Sequence, residues 1–306
     1  MKAEEVFHPS SFRLHPLQRI HFGEKVLQSI SFIGGGVMAE AMIQGLLNRQ
    51  VIAPAGITVG EPREKRRMEL ATRYHIRATP DNREAARAGA IAVFSIKPQV
   101  LSRVLPELKG VLHAEQLVIS IIAGGRIATL SEGLSHYAIV RAMPNTPAQI
   151  GEGLTVWTAT ADVSEPQRAQ ASAVFQSLGK EIFVDDEKYL DMATAVSGTG
   201  PTYTFLVLEA LIDAAVHLGF ARDVAHDIVI ETMRGSILYA QQSGKHPAEL
   251  RNMVTSPGGT SAEAIYQMEK GALRTVLSKA VWAAYQKSRL LGESVGRAEP
   301  RKPVDA

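Results

Sequence analysis

The sequence contains no cysteine. Disulfide bonds, cysteine-ligated zinc and thiol catalysis are therefore excluded. Long apolar runs are also missing: none reaches the roughly 18 residues that a membrane span needs. Charge of one sign is lacking too. The 33 basic and 31 acidic side chains leave a formal net charge of +2, without the basic excess that marks nucleic-acid binding. Residues 1–28 are polar and rich in His, Arg and Pro, and they lack the apolar core of a secretory signal. Glu4, Glu5 and Glu24 argue against an organelle transit peptide. That stretch reads as an N-terminal extension, and the polar, Pro-containing residues 293–306 read as a tail. These absences are compatible with a cytoplasmic protein that binds neither membrane nor nucleic acid.

What is present is a globular composition, with 45% hydrophobic and 21% charged residues over 306 positions, enough for two domains of ordinary size. Short apolar runs at 29–33, 57–60, 90–96 and 116–122 read as strands buried on both faces of a parallel sheet. The series continues through 137–142, 154–158 and 181–184. Val37 to Gln50 has helical apolar spacing, Glu61 to Tyr74 is a charged helix, and Ser164-Glu165-Pro166 opens a further helix with a good cap. The alternation predicts a doubly wound α/β domain over residues 29–187. From 188 to 292 there is no strand signal. Helices are expected over Tyr189–Leu218, Val224–Ser243, Pro247–Thr255 and Ser261–Leu291. Several are apolar on more than one face, as in Phe205-Leu206-Val207-Leu208 and Ala280-Val281-Trp282. Such helices need burial on several sides, which a second copy of the chain would supply.

Gly34-x-Gly36-x-x-Ala39 lies between the first strand and the first helix, the context that makes it a dinucleotide fingerprint. Gly34 permits the tight turn. Gly36 lets a pyrophosphate approach, and Ala39 lets the helix pack closely. The free N–H groups of the helix start complement the phosphates. Glu61, directly after the second strand, suits a ribose 2′-hydroxyl and hence NADH. Arg63, Lys65, Arg66 and Arg67 follow at once and could pair with the 2′-phosphate of NADPH, so the preference stays open. Lys97 and Pro98, at the carboxyl end of the next strand, face either the nicotinamide half of a cofactor or plain solvent. Ala123-Gly124-Gly125 and the stiff loop around Asn145 stand at the same sheet edge. Asp185-Asp186-Glu187 reads as a solvated helix start.

Two segments, Val196–Pro201 and Thr255–Ser261, combine Gly with hydroxyls beside a helix. They suit either carboxylate binding or ordinary capping. The nine histidines show no metal-ligand spacing, no metal site is expected, and no Ser-His-Asp set can be assigned.

Five segments in this order, Phe32–Gly36, Ile96–Gln99, Arg141–Pro147, Val196–Pro201 and Thr255–Thr260, resemble the pyrroline-5-carboxylate reductase family. The likeness spans roughly residues 29 to 291. It implies a Rossmann-type domain followed by an all-helical dimerisation domain that interlocks with its twin. It also implies homodimers often assembled into larger rings, active sites between the two domains, and reduction of 1-pyrroline-5-carboxylate to L-proline by NADPH or NADH. By position it places Gly34, Gly36, Val37 and Met38 at the cofactor phosphates, and Lys97, Pro98 and Asn145 near the ribose and nicotinamide. Ser256, Gly258, Gly259 and Thr260 fall at the substrate carboxylate, and Ser261 at the ring nitrogen. Ser261 stands where the family usually has Thr, Thr199 where Ser is common, and Leu290 where Glu is usual. A hydroxy-acid reductase of the same architecture would need a catalytic Lys or His, for which only Lys245 and Lys270 lie nearby. A non-catalytic dinucleotide sensor is the other alternative.

Overall fold

The computed structural model describes residues 27–294. His8, His15, His21, nearly all of the expected extension and most of the expected tail lie outside the described residues.

Eight strands form one sheet: β1 (Ile30–Ile33), β2 (Ile57–Gly60), β3 (Arg77–Thr79), β4 (Ile91–Phe94), β5 (Leu117–Ser120), β6 (Ile139–Met143), β7 (Gly153–Ala159) and β8 (Gly179–Phe183). Their order is β3-β2-β1-β4-β5-β6-β7-β8. The chain starts in the middle, winds outward one way through β3, then returns past β1 and winds the other way. That is the doubly wound arrangement the alternation predicted, with its switch point between β1 and β4. β1, β2, β4 and β5 are buried along their whole length, as continuous apolar runs require. Pairing is parallel from β3 through β6. It reverses at β7, which runs antiparallel to β6 and parallel to β8. The sheet is therefore mixed at one side.

Alternate side chains feed two cores, as the two-residue period of a strand dictates. Phe32, Val59, Val93, Ile119 and Val140 face one way, onto Met42, Ile43 and Leu46 of α1 (Val37–Asn48), Leu70 of α2 (Glu64–Tyr74) and Val174 and Phe175 of α6 (Glu165–Gln176). Ile33, Phe94, Val118 and Ile139 face the other way, onto α3 (Asn82–Ala88), α4 (Leu101–Leu108) and α5 (Ile127–Leu134). Ser164 caps α6 as its sequence foretold: its Oγ accepts the Gln167 N–H, and Gln167 reaches back to the Ser164 N–H. β3 and the short helices α3, α4 and α5 were not anticipated.

The chain divides into two compact units. One comprises the residues up to Thr199 together with those from Ala284 onward, and the other is Gly200–Ala283. This division falls later than the expected boundary at 187/188. The reason is a buried cation. Arg141, in β6 and 1% exposed, donates to Glu187 Oε1 at 2.7 Å and to Asp191 Oδ1 at 3.2 Å. Asp191 lies in α7 (Lys188–Ala193) and also accepts the hydroxyl of Ser288, near the end of α12 (Leu273–Ser294). Glu187 accepts the Ile127 N–H as well, so it is an anchor and not the solvated residue the sequence suggested.

The second unit is helical: α8 (Gly200–His217), α9 (Arg222–Ser243), α10 (Pro247–Met253), α11 (Thr260–Lys270) and the first part of α12. The expected helix 189–218 is interrupted by a wide turn at Thr194–Gly198. The expected helix 261–291 breaks at Gly271 and Ala272, the latter at φ 55°. Only Ala225 and Val229 are buried apolar side chains of this unit, while Phe205, Leu206, Ile237, Tyr239 and Trp282 are more than half exposed. Apolar surface of this extent marks an association face.

Replacing Arg141 by Met leaves Glu187 and Asp191 without their counter-charge. The unfolding free energy should fall by about 3 kcal/mol, the low end for breaking a buried ion pair, because Glu187 keeps some access to water. Urea unfolding at matched protein concentration measures this, and an unmoved midpoint would show that the ion cluster carries no stability.

Candidate active site

The carboxyl ends of β1, β2, β4, β5 and β6 share one sheet edge, because these strands are mutually parallel. Nearly every cofactor residue singled out in the sequence follows one of them. Gly34 adopts φ 100°, where a side chain would be strained, and a Cβ there would stand 2.8 Å from Ile96 Cγ2 and 3.1 Å from the Ser95 carbonyl. The turn is pinned from both sides. Its Gly34 N–H donates to the Gly60 carbonyl at 2.8 Å, and the Ser95 hydroxyl donates to the Gly34 carbonyl at 2.8 Å. Ser95 was quoted in the sequence only as part of a strand end. Its contact spans 61 residues, which no local pattern could signal.

Gly36 is different. Its φ is −71°, open to any residue, and a Cβ there would meet nothing closer than the Ser95 carbonyl at 4.0 Å. Nothing in the fold demands glycine at that position. The free space lies at the N-terminus of α1, where the first N–H to enter the helical ladder is that of Glu40, bonded to the Gly36 carbonyl. Among the described residues the N–H groups of Gly36, Val37, Met38 and Ala39 have no partner. A cradle with four free donors and a helix dipole behind it fits a pyrophosphate. Val37 is exposed at this helix start, while the Met38 side chain packs onto the core and leaves only its backbone for the ligand.

Glu61, directly after β2, is 3% exposed. Its Oε2 accepts the Gly35 N–H at 3.1 Å, and its Oε1 accepts the Arg63 N–H at 3.0 Å and Arg63 Nε at 2.8 Å. Burial pushes the Glu61 carboxyl up, but the Arg63 guanidinium and the N–H groups of Arg63 and Gly35 outweigh it and hold it below the ordinary glutamate range. The group is an anion near neutral pH. The other two arginines are committed elsewhere, Arg66 to the Gly35 carbonyl, Glu40 and Glu69, and Arg67 to the carbonyls of Glu61 and Pro62, while Lys65 is exposed on α2.

Lys97 is exposed, and Pro98 starts a single helical turn behind it. The Asn145 amide is engaged at both ends: Oδ1 accepts the Leu154 N–H at 2.9 Å and Nδ2 donates to the Ser197 carbonyl at 3.3 Å. Asn145 therefore fixes the loop after β6.

The two glycine-hydroxyl segments part company. Val196–Pro201 is no loop. Ser197 Oγ donates to the Ala193 carbonyl at 2.9 Å and Thr199 Oγ1 to the Thr194 carbonyl at 2.8 Å, so its hydroxyls are turned back into the helix and cannot serve an anion. Thr255–Ser261, in the second unit, ends with Gly259 as the N-cap of α11. The Gly259 N–H closes a tight turn on the Ser256 carbonyl at 3.0 Å. Among the described residues the N–H groups of Gly258, Thr260 and Ser261 and the hydroxyls of Ser256, Thr260 and Ser261 have no partner. Leu290 is exposed in the last turns of α12.

These sites were compared with known proteins. A family model described as pyrroline-5-carboxylate reductase dimerisation matches residues 187–291, and one described as NADP oxidoreductase, coenzyme F420-dependent, matches residues 29–124. A pyrroline-5-carboxylate reductase of Synechocystis is 41% identical over 264 residues, covering 86% of this chain and 98% of the relative. The chain belongs to the pyrroline-5-carboxylate reductase family. The enzyme of that name from Pseudomonas aeruginosa is 38% identical over 88% of this chain and 98% of its own. The Plasmodium falciparum pyrroline carboxylate reductase, solved with NADP bound, superposes with a TM-score of 0.81 at 32% identity, covering 88% of this chain and all of that one. Family membership agrees with the Rossmann-type sheet and the helical dimerisation segment read from the sequence. Among the described residues no helix is long and apolar enough to cross a membrane.

Because the fold has no need of glycine at 36, Gly36→Ser separates folding from binding. Serine is at least as good an N-cap, so stability should stay within about 0.5 kcal/mol. Its side chain fills the cradle, so the affinity for NADH and NADPH should drop about tenfold or more, roughly 1.4 kcal/mol. Undiminished nucleotide binding in a titration would remove the cradle from the site.

Proposed function

We propose that this chain reduces 1-pyrroline-5-carboxylate to L-proline, the last step of proline biosynthesis. The observation that carries this reading beyond family membership is the unpartnered donor set at Ser256–Ser261, at the start of α11. A helix N-terminus with free N–H groups and hydroxyls suits a small carboxylate. A reduced nicotinamide, from NADPH or NADH, supplies the hydride that the imine carbon accepts. Everything else asked of the protein is orientation. The backbone of Gly36, Val37 and Met38 holds the pyrophosphate over the turn set by Gly34, while Glu61 and Arg63 attend the adenosine ribose. Lys97 and Pro98 border the nicotinamide end, with Asn145 fixing the loop beside them.

The N–H groups of Gly258 and Thr260, on the turn closed by Gly259 and Ser256, hold the substrate carboxylate. Ser261, half-buried one position further on, hydrogen-bonds the ring nitrogen. A protonated ring nitrogen makes the neighbouring carbon electrophilic, and the Ser261 hydroxyl keeps that N–H in register. No acid–base relay is required, in keeping with a loop that offers hydroxyls and backbone donors alone. A hydroxy-acid reductase would want a Lys or His here. Lys270 ends α11, about 13 Å along the helix from Ser261, and Lys245 sits against Met253.

In this reading residues 29–187 form the dinucleotide-binding domain and 188–292 the substrate and dimerisation domain. The protein works in the cytoplasm as a homodimer, with larger rings built from such dimers. The exposed apolar helices of the second unit support the association.

Ser261→Ala should lower kcat/KM for pyrroline-5-carboxylate by about 1–3 kcal/mol through the loss of one hydrogen bond to a charged group, and Ser261→Thr should keep most of the activity. Unchanged kinetics for the alanine variant would strip Ser261 of this role. Light scattering at micromolar concentration should give the mass of a dimer or a multiple of it, and a monomer at that concentration would overturn the assembly.

A further inference from the structure

Specificity for NADH or NADPH turns on what meets the 2′ position of the adenosine ribose, and in this architecture that is the end of β2. Two features of this chain meet there. Glu61 is buried, ionised and held against the cofactor turn by the Gly35 N–H. Among the described residues Arg63 is its only charged partner, and it is 69% exposed at the side chain. Among the described residues the guanidinium of Arg63 bonds nothing but Glu61, through Nε at 2.8 Å and Nη2 at 3.1 Å. Arg66 and Arg67, the other guanidinium groups nearby, are occupied by Glu40, Glu69 and backbone carbonyls.

The two cofactors ask different things of this pair. A ribose diol brings two O–H donors, and a fixed carboxylate is the acceptor they need. The exposed Arg63 can yield its place into water at little cost. A 2′-phosphate brings about two negative charges and no donor. Arg63 would have to turn its guanidinium away from Glu61 to bind it, and would leave behind a buried carboxylate compensated only by the N–H groups of Gly35 and Arg63, next to the incoming anion. Like charges so placed discriminate strongly, because the site rejects the wrong ligand as well as accepting the right one.

We infer that Glu61 is the specificity-determining residue of this chain and selects NADH over NADPH, with Arg63 as an exposed cap on its carboxylate. The inference rests on the reductase reading but concerns cofactor choice alone.

The experiment uses the full chain and measures equilibrium Kd for NADH and for NADPH by fluorescence titration without substrate, followed by the KM for each cofactor. The wild-type protein should bind NADH about tenfold more tightly or better, with the difference in KM and not in kcat. Glu61→Gln keeps an acceptor for the Gly35 N–H but removes the charge. It should cut the preference at least fivefold. Glu61→Ser should invert it, and adding Arg63→Ala to that variant should abolish the gained NADPH affinity. Equal or tighter NADPH binding by the wild-type protein would overturn the inference, as would an unchanged ratio in a folded Glu61→Gln variant. Because binding is read without substrate, failure of the two readings is separable. NADH preference without turnover of pyrroline-5-carboxylate would sink the reductase reading and leave this one standing. Turnover with equal affinities would do the reverse.

Discussion

The buried guanidinium of Arg141 is the contact around which the first unit is arranged. A cation that is 1% exposed is costly to desolvate, and it persists only where its partners are held in place. Here they come from three elements. Glu187 and Asp191 flank the start of α7, Ser288 braces Asp191 from the end of α12, and the N–H that opens α5 braces Glu187. Among the described residues its Nε has no partner, so the cluster is not fully satisfied, and apolar packing of the same volume could be as stable. What apolar packing would not supply is direction. Charged hydrogen bonds at 2.7 and 3.2 Å fix which turn of α7 meets β6, whereas greasy surfaces slide. β6 runs straight on into the Asn145 loop, so the same contact sets the height of that loop above the sheet edge.

The sheet was legible because a parallel strand buried on both faces must be apolar throughout, and β1, β2, β4 and β5 are. What escaped was short or marginal. β3 is three residues of Arg77-Ala78-Thr79 at the sheet's edge, where no apolar run is needed. α3 is seven residues of mostly Ala and charge, too short for a periodic stripe. The reversal at β7 could not be seen at all, since strand direction is a property of connections and not of composition. The two over-long helices failed for different reasons. Gly271 was a visible breaker inside a helical pattern. The wide turn at Thr194–Gly198 replaces one hydrogen-bond spacing by another and leaves the apolar rhythm almost intact.

At the cofactor site the same divide separates local from distant chemistry. Gly34 and Gly36 announce themselves within six residues, but their roles differ in ways no motif records: the first sits at a positive φ against Ile96 and Ser95, and the second has open space beside it. Glu61 was noticed for its position, and its commitment to Gly35 was not, because the contact crosses 26 residues. The sequence showed four cations after Glu61 and could not rank them. Hydrogen bonding separates the three arginines, since Arg66 and Arg67 are tied to backbone carbonyls and to Glu40 and Glu69, whereas the Arg63 guanidinium bonds only Glu61 among the described residues.

The two glycine-hydroxyl segments carry the same residue types and meet opposite fates, and the cause lies upstream of each. Ser197 and Thr199 follow a helix that is still running, so carbonyls of the preceding turn stand within reach and their hydroxyls close onto them. Ser256 to Ser261 follow a helix that has stopped at Met253, with Pro257 preventing its resumption. The carbonyls of its last turn are taken by Thr255, whose hydroxyl donates to Arg251 and whose N–H donates to Asn252, and the next helix begins only at Thr260. Apart from the Gly259 N–H, which closes onto the Ser256 carbonyl, the hydroxyls and N–H groups from Ser256 to Ser261 have no acceptor among the described residues and must find one in water or in a ligand. This loop keeps its donors free because a helix ends before it and not because of the residue types it contains.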